Sequence, residues 1–153
     1  FNVGDWILVD DIEGEVVEIG LRTTLIRSSA DTLITIPNSN LVNSPVENFS
    51  QRRFRRIQPT FEFEADSEPN ALKSFCEKLL AIVKEDVRAV KEDSSWVRVK
   101  TFAPSMVIVA TNFYSVQSSA SQREMNEDIL LVAQSVAADC GLNFHEPRMR
   151  RQN

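Results

Sequence analysis

Arg52-Arg53-Phe54-Arg55-Arg56 is the stretch with the most apparent chemistry, four guanidinium groups around one aromatic ring. Guanidinium groups neutralise phosphates and an aromatic ring stacks on a base, so the run could hold single-stranded RNA. The competing reading is a solvated or interface-facing charge run at a domain junction, paired with acidic groups nearby. The formal net charge of -5 favours the second, since broad nucleic-acid or anionic-membrane binding needs positive potential. The charge is also uneven: through Glu47 the only basic residues are Arg22 and Arg27, against eight carboxylates, and the arginines then arrive together.

The remaining reactive residue types are sparse. His145 is the only histidine, and no compact acidic or thiol motif surrounds it, so it reads as a surface or strand-end residue. Asp10, Asp11, Glu13 and Glu15 could be imagined around a cation. Their spacing does not fit a calcium loop, which sets ligands at alternate positions and ends on a distal glutamate. They read as a solvated turn. Cys76 and Cys140 lack metal-ligand spacing and fall on apolar faces of predicted helices, where a thiol acts as a small hydrophobe. There is no Gly-rich phosphate loop, no Gly-x-Ser-x-Gly elbow and no paired-cysteine zinc motif. The expectation is therefore no enzyme, no catalytic residue, no metal and no cofactor.

These residues must be carried by small domains. At 153 residues, with 42% hydrophobic and 25% charged residues, the chain can bury a core. A membrane-spanning helix needs about 20 consecutive apolar residues, and no apolar run here is longer than that from Met106 to Ala110. The start shows no charged segment followed by an apolar stretch. Phe1 stands where an initiator Met would, which suggests a piece of a longer chain.

The first region reads as short strands. Trp6 to Asp10 is β-rich and ends at an acidic turn, Asp11 to Gly14. In Glu15 to Arg27, Val17, Ile19, Leu21 and Leu25 alternate with Glu18, Arg22 and Thr24, the period of a half-buried strand, with Gly20 as a bend or bulge. Thr32 to Ile36 predicts a third strand stopped by Pro37-Asn38. Ser39 to Ser44 is a polar loop or one helical turn, and Val46 to Ser50 a closing strand. Strands this short suggest a small Sm-like or SH3-like β-barrel over 1-50.

The pattern changes after Gln51. Ile57, Pro59, Phe61 and Phe63 share one face of a strand, with Pro59 hinting at an edge. Asp66-Ser67-Glu68-Pro69 opens a helix with Leu72, Phe75, Cys76, Leu79 and Val83 on its apolar face. Val97, Val99 and Thr101 alternate with Arg98, Lys100 and Phe102. Ala103-Pro104-Ser105 is a hairpin loop before a strand from Met106 to Tyr114. Ser121 and Glu124 form a capping-box pattern ahead of a helix with Met125, Ile129, Val132, Ala133 and Val136 inward, and Gly141 caps its end. Leu142 to His145 could add a last short strand. The order β-α-β-β-α-β predicts a ferredoxin-like α/β domain over 51-147, leaving 148-153 as a C-terminal tail. The fold class is thus α+β.

The order of motifs in the first third carries a resemblance. Phe1-Asn2-Val3-Gly4-Asp5-Trp6-Ile7, then Glu13-Gly14-Glu15-Val16-Val17-Glu18-Ile19-Gly20, then Ile36-Pro37-Asn38 and Asn48-Phe49-Ser50 with the arginines after it, resemble the cytoplasmic C-terminal region of the small-conductance mechanosensitive ion channel family. The resemblance extends over essentially the whole chain, a small β-domain followed by an α/β domain. It implies membrane helices ahead of Phe1, a cell inner-membrane protein with this part on the cytoplasmic side, and a homo-heptamer. The heptamer would enclose a vestibule that supports the pore helices and shapes the passage of ions and small osmolytes during hypo-osmotic stress. On that reading Ile36, Pro37 and Asn38 form a structural turn at a subunit contact, and Asn48, Phe49 and Ser50 form the joint between the halves. Arg52, Arg53, Arg55 and Arg56 become a charge-cluster contact. The alternatives are an RNA-binding module built on the Sm-like half, and a ligand-sensing domain built on the ferredoxin-like half.

Overall fold

Alternating apolar residues in the first fifty positions build five antiparallel strands: β1 (Trp6–Val9), β2 (Ile12–Ile19), β3 (Thr23–Arg27), β4 (Leu33–Pro37) and β5 (Val46–Asn48). The computed structural model describes residues 1–147, so the expected tail at 148-153 lies outside the described residues. Across this first sheet the strands run β4-β3-β2-β1-β5. Ile7, Val9, Val16, Ile26 and Ile36 are buried together as its core. A short helix, α1 (Asn38–Asn43), joins β4 toward β5.

Two details of this sheet differ from the alternation. The segment expected as one strand with a bend at Gly20 is a hairpin: β2 ends at Ile19, and the Gly20 amide closes the turn on the Thr23 carbonyl at 2.8 Å. Val16, opposite Ile26, points into the core; a β-bulge then leaves Val17 as the extra, exposed residue, and Ile19, though opposite buried Thr24, is 46% exposed at the strand end. Strict alternation had put Val17 and Ile19 inside. The extra residue brings Ile19 back to the face of Val16, because the side-chain period is two. The acidic turn is also shorter than expected. Asp10 takes a left-handed φ of 50°, and Ile12 already belongs to β2. Aspartate tolerates that conformation better than most residues.

The chain divides into two compact units between Arg52 and Arg53. The second is a mixed α/β unit around a long central strand, β10 (Met106–Val116). β6 (Phe54–Ile57) and β7 (Phe61–Glu64) both pair antiparallel with β10, Ile57 opposite Phe113 and Phe61 opposite Val109. They are thus one strand interrupted at residues 58–60. Pro59 lies in that gap, where a missing N–H breaks no ladder bond, and its carbonyl accepts the Thr111 hydroxyl at 2.6 Å. On the other side of β10 lie β9 (Trp96–Ala103) and β8 (Ala89–Val90). Phe144 bridges Phe63, so the order across the sheet is Phe144, β7, β10, β9.

β9 holds a second bulge. Val109 faces Val99 but Ile108 faces Thr101, so Lys100 is the extra residue. The slip places Phe102 opposite buried Val107 and sends Thr101 to the other face, the reverse of the simple alternation.

Two helices cover one face of this sheet. α2 (Pro69–Lys84) buries Leu72, Phe75, Cys76, Leu79 and Val83, an i, i+3, i+4, i+7 stripe. It begins with proline at its first turn, and no side chain caps it. α3 (Ser119–Asp139) buries Met125, Ile129, Ala133, Val136 and Ala137. Its N-cap is Ser118, which accepts the Ser121 amide, so the Ser121–Glu124 pattern marked the helix three residues late. At its end Gly141 has φ 73°, and bonds from Leu142 N to Ala137 O and Gly141 N to Ala138 O form a Schellman motif. Arg88, just after α2, donates to both Asp86 oxygens and reaches Asp128 of α3 at 2.9 Å. Those bonds hold the Asp86 carboxyl below its ordinary range. Among the described residues no helix is long and apolar enough to cross a membrane.

Candidate functional site

Asn38 is the polar centre of the first unit. β4 carries Ile36 into the core, and Pro37 ends the strand so that Asn38 turns back over the β2–β3 hairpin. Its side-chain oxygen accepts from the Thr24 hydroxyl at 2.7 Å, its amide donates to the Gly20 carbonyl at 2.9 Å, and its backbone N–H reaches Arg22 O at 2.8 Å. Thr24 is fully buried, so Asn38 is the partner that satisfies its hydroxyl. The turn therefore bonds to a hairpin far away in sequence rather than only to itself. Asn38→Ala is expected to cost about 1–3 kcal/mol, the range for stranding a buried polar group. Thermal unfolding followed by Trp6 fluorescence checks this, and a midpoint equal to the parent's would contradict it.

Asn48 and Ser50 perform a parallel task on the opposite edge. Asn48 Oδ1 accepts the Ser50 amide and starts the 3-10 turn Phe49–Gln51. Asn48 Nδ2 donates to Asp5 at 3.0 Å, while Ser50 Oγ accepts the Trp6 amide at 3.0 Å. Bonds from the Asn2 backbone and from Asn48 lower the Asp5 carboxyl. Phe49 is half-buried, with the Arg52 guanidinium 5.1 Å from its ring centroid.

The arginine run does not act as one patch. Arg53 lies over the Phe54 ring at 5.7 Å, Arg56 Nε donates to Asn112 at 2.6 Å, and Arg55 donates to Gln122. The expected acidic partners are replaced by rings and amides for Arg52, Arg53 and Arg56, whose ion pairs are absent among the described residues. Alternation explains the dispersal, since Arg55 and Arg56 leave β6 on opposite faces. Asn112 is buried, and its amide also donates to Ser94 O at 3.0 Å, so it fixes both Arg56 and the loop before β9. Tyr114 on the same face bonds Asn112, which with the Arg56 and Lys91 charges lowers its phenol below the ordinary value. Lys91 lies 4.4 Å from the Tyr114 ring centroid.

His145 sits at the strand end it was read into. Its amide reaches Glu62 O at 2.9 Å, and its largely buried ring stands 3.7 Å from Glu64. It lines a cavity of about 550 Å³ with Glu64, Asp66 and Glu146. Among the described residues no group of three histidine, cysteine or acidic side chains is placed to hold a metal ion. The Cys76 thiol is pushed up to about 11 by burial and by neighbouring Glu77, so it stays protonated and unreactive at neutral pH. Glu13, which the structure places on β2, accepts the Trp6 indole N–H at 2.9 Å.

Sequence reading missed a trough on the sheet face opposite the helices. Gln58 and Thr60, at the strand gap, face Trp96, Arg98 and Lys100 across a floor of Ala110 and Thr111, enclosing about 390 Å³. Two signals could have found it: proline inside a strand pattern, and an aromatic–cation–cation series at alternate positions.

Both units are built on antiparallel sheets, and Asn38, Asn48, Ser50 and Asn112 each bond to backbone groups. Residues 1–51 match the family model described as "Mechanosensitive ion channel, beta-domain". An uncharacterized MscS family protein of Aquifex aeolicus is 28% identical over 147 residues, covering 95% of this chain and 40% of that one. The small-conductance mechanosensitive channel MscMJ of Methanocaldococcus jannaschii is 40% identical over 84 residues, covering 55% of this chain and 24% of that one. In fold, the chain is similar to closed-state MscS of Helicobacter pylori, with a TM-score of 0.78 and 16% identity over 100% of this chain and 60% of that one. Arabidopsis thaliana MSL1 is also similar, with a TM-score of 0.88 and 17% identity over 96% of this chain and 53% of that one. The similarity is thus to mechanosensitive channels: the β-domain model over residues 1–51, and MscS family proteins over nearly the whole chain. The chain spans about two fifths or less of the length of these curated relatives.

Proposed function

We propose that this chain is the cytoplasmic vestibule portion of a mechanosensitive ion channel of the cell membrane. It supports the pore helices and shapes the passage of ions and small osmolytes during hypo-osmotic stress. The observation that carries this reading is the β-domain match over residues 1–51. The sheet order β4-β3-β2-β1-β5 around a small apolar core supports an Sm-like first unit. The order Phe144, β7, β10, β9 under two helices supports a ferredoxin-like second unit.

In a homo-heptamer each copy would contribute the same surfaces, so one contact repeats around the ring. Ile36, Pro37 and Asn38 are read as a subunit contact: Ile36 and Asn38 anchor the turn from inside, and Pro37 is exposed beside it. Asn48, Phe49 and Ser50 are read as the joint between the halves. The arginines are read as structural contacts. The rings and amides that engage Arg52, Arg53 and Arg56 weigh against the RNA-binding alternative, because they compete with phosphate for those guanidinium groups.

The test is the full-length protein, patch-clamped in cells stripped of their own mechanosensitive channels. Tension-activated current and rescue from osmotic downshock are expected, with Pro37→Ala moving the activation tension or lowering the oligomer size. Silence under tension up to patch rupture would end the channel reading. A Pro37→Ala channel with parental tension and size would remove only the contact role.

A further inference from the structure

We propose that the trough on the helix-free face of the second unit binds a small organic anion with a planar ring, a mononucleotide being the simplest probe. The inference goes beyond the channel reading and does not depend on it. It begins with the sheet. Trp96 and Arg98 stand opposite Asn112 and Ala110, on the face turned away from α2 and α3. Residues two apart on a strand lie about 7 Å from one another, which matches an aromatic ring bearing an anionic group. The Ala110 methyl keeps the floor low between them. Lys100, the bulged residue, lines the same trough and supplies a second cation.

The opposite wall is the strand gap. Thr111 already occupies the Pro59 carbonyl, so Gln58 and Thr60 offer an amide and a hydroxyl to the ring edge. Among the described residues Arg98 and Lys100 form no ion pair, unlike Arg27 and Arg88. Two unpaired cations beside an indole 37% exposed complement a ring that stacks and an anion that pairs. Glu62, the next acidic side chain along that face, sets the limit on how much negative charge the trough accepts. The volume of about 390 Å³ falls within the range of small-molecule sites, ~300–1,000 Å³. The net charge of -5 disfavours a long polyanion while leaving this local pair of cations intact for a small one.

The experiment uses the 153-residue chain with Trp6→Phe, so that Trp96 is the sole tryptophan. Adenosine monophosphate is titrated against Trp96 fluorescence, with adenosine and inorganic phosphate in separate arms. Saturable quenching by the monophosphate is expected. Arg98→Gln and Lys100→Gln should each weaken it about tenfold, the order expected for one charge-assisted hydrogen bond, and circular dichroism confirms that both variants fold. Adenosine and phosphate should bind at least as weakly as those variants. The proposal is overturned by no saturable response in the millimolar range, by a midpoint that neither substitution moves, or by phosphate alone matching the nucleotide. It is equally overturned if single-stranded oligoadenylate binds while the monophosphate does not.

Discussion

Gly14→Val is expected to unfold the first unit at temperatures where the second remains intact. Gly14 is buried on β2, paired with Ile7 of β1 while its neighbour Glu15 pairs with Arg27 of β3. A Cβ at this position would stand 2.4 Å from the Arg27 carbonyl oxygen and 2.6 Å from Ile26 Cγ2. The first of these is backbone and cannot swing aside, so β2 and β3 would have to separate. Overpacking of this kind costs about 1–3 kcal/mol and occasionally more. Few residues absorb it, since the unit buries only Ile7, Val9, Val16, Ile26 and Ile36 as its apolar core. Trp6 reports on this unit and Trp96 on the other, so single-tryptophan variants separate the two transitions. A Gly14→Val chain whose Trp6 transition matches the parent's would refute the close approach.

Phe63→Ala is expected to have the corresponding effect on the second unit, a loss of about 3–5 kcal/mol, the usual cost of emptying a buried phenylalanine site. Phe63 is fully buried. Its ring meets Phe75 of α2 edge-on at 5.0 Å and stacks on Phe144 at 4.9 Å. It thus joins the sheet, a helix and the last bridged segment. Denaturant unfolding followed at Trp96 measures the loss. A shift below 1 kcal/mol would mean that the site collapses around the cavity, which this three-way contact opposes. Phe144→Ala, at a residue 37% exposed, should cost less.

Much of the second unit was legible because helices announce themselves by period. The five residues α2 buries are the five its spacing selects. Alternation set Thr24 on the polar face against Leu25, yet Thr24 is fully buried and Leu25 only half-buried; with Ile26 and Ile36, its burial depends on which strands flank each position. The bulges after Val16 and at Lys100 left no trace in the apolar pattern, and each reversed the faces of the residues beyond it. The hairpin at Gly20 was read as a bend because alternation continues in phase through it. For the candidate site, residue types were legible while partners were not. Asn38 was recognisable as a turn residue that bonds nearby backbone, yet its targets are Gly20 and Thr24, eighteen and fourteen positions upstream. The arginine run looked like one surface in sequence and is four separate attachments in space.

The Asn38 bonds also bear on Leu21. That side chain is fully exposed at the tip of the β2–β3 hairpin, and the carbonyls flanking it, Gly20 and Arg22, are both held by Asn38. A single asparagine thus clamps a hydrophobic fingertip from both sides, so its pose is inherited from a residue it never touches in sequence. Exchanges at position 38 will alter what the tip presents to the outside even where Leu21 itself is untouched, and a compensating change is to be sought first at Thr24.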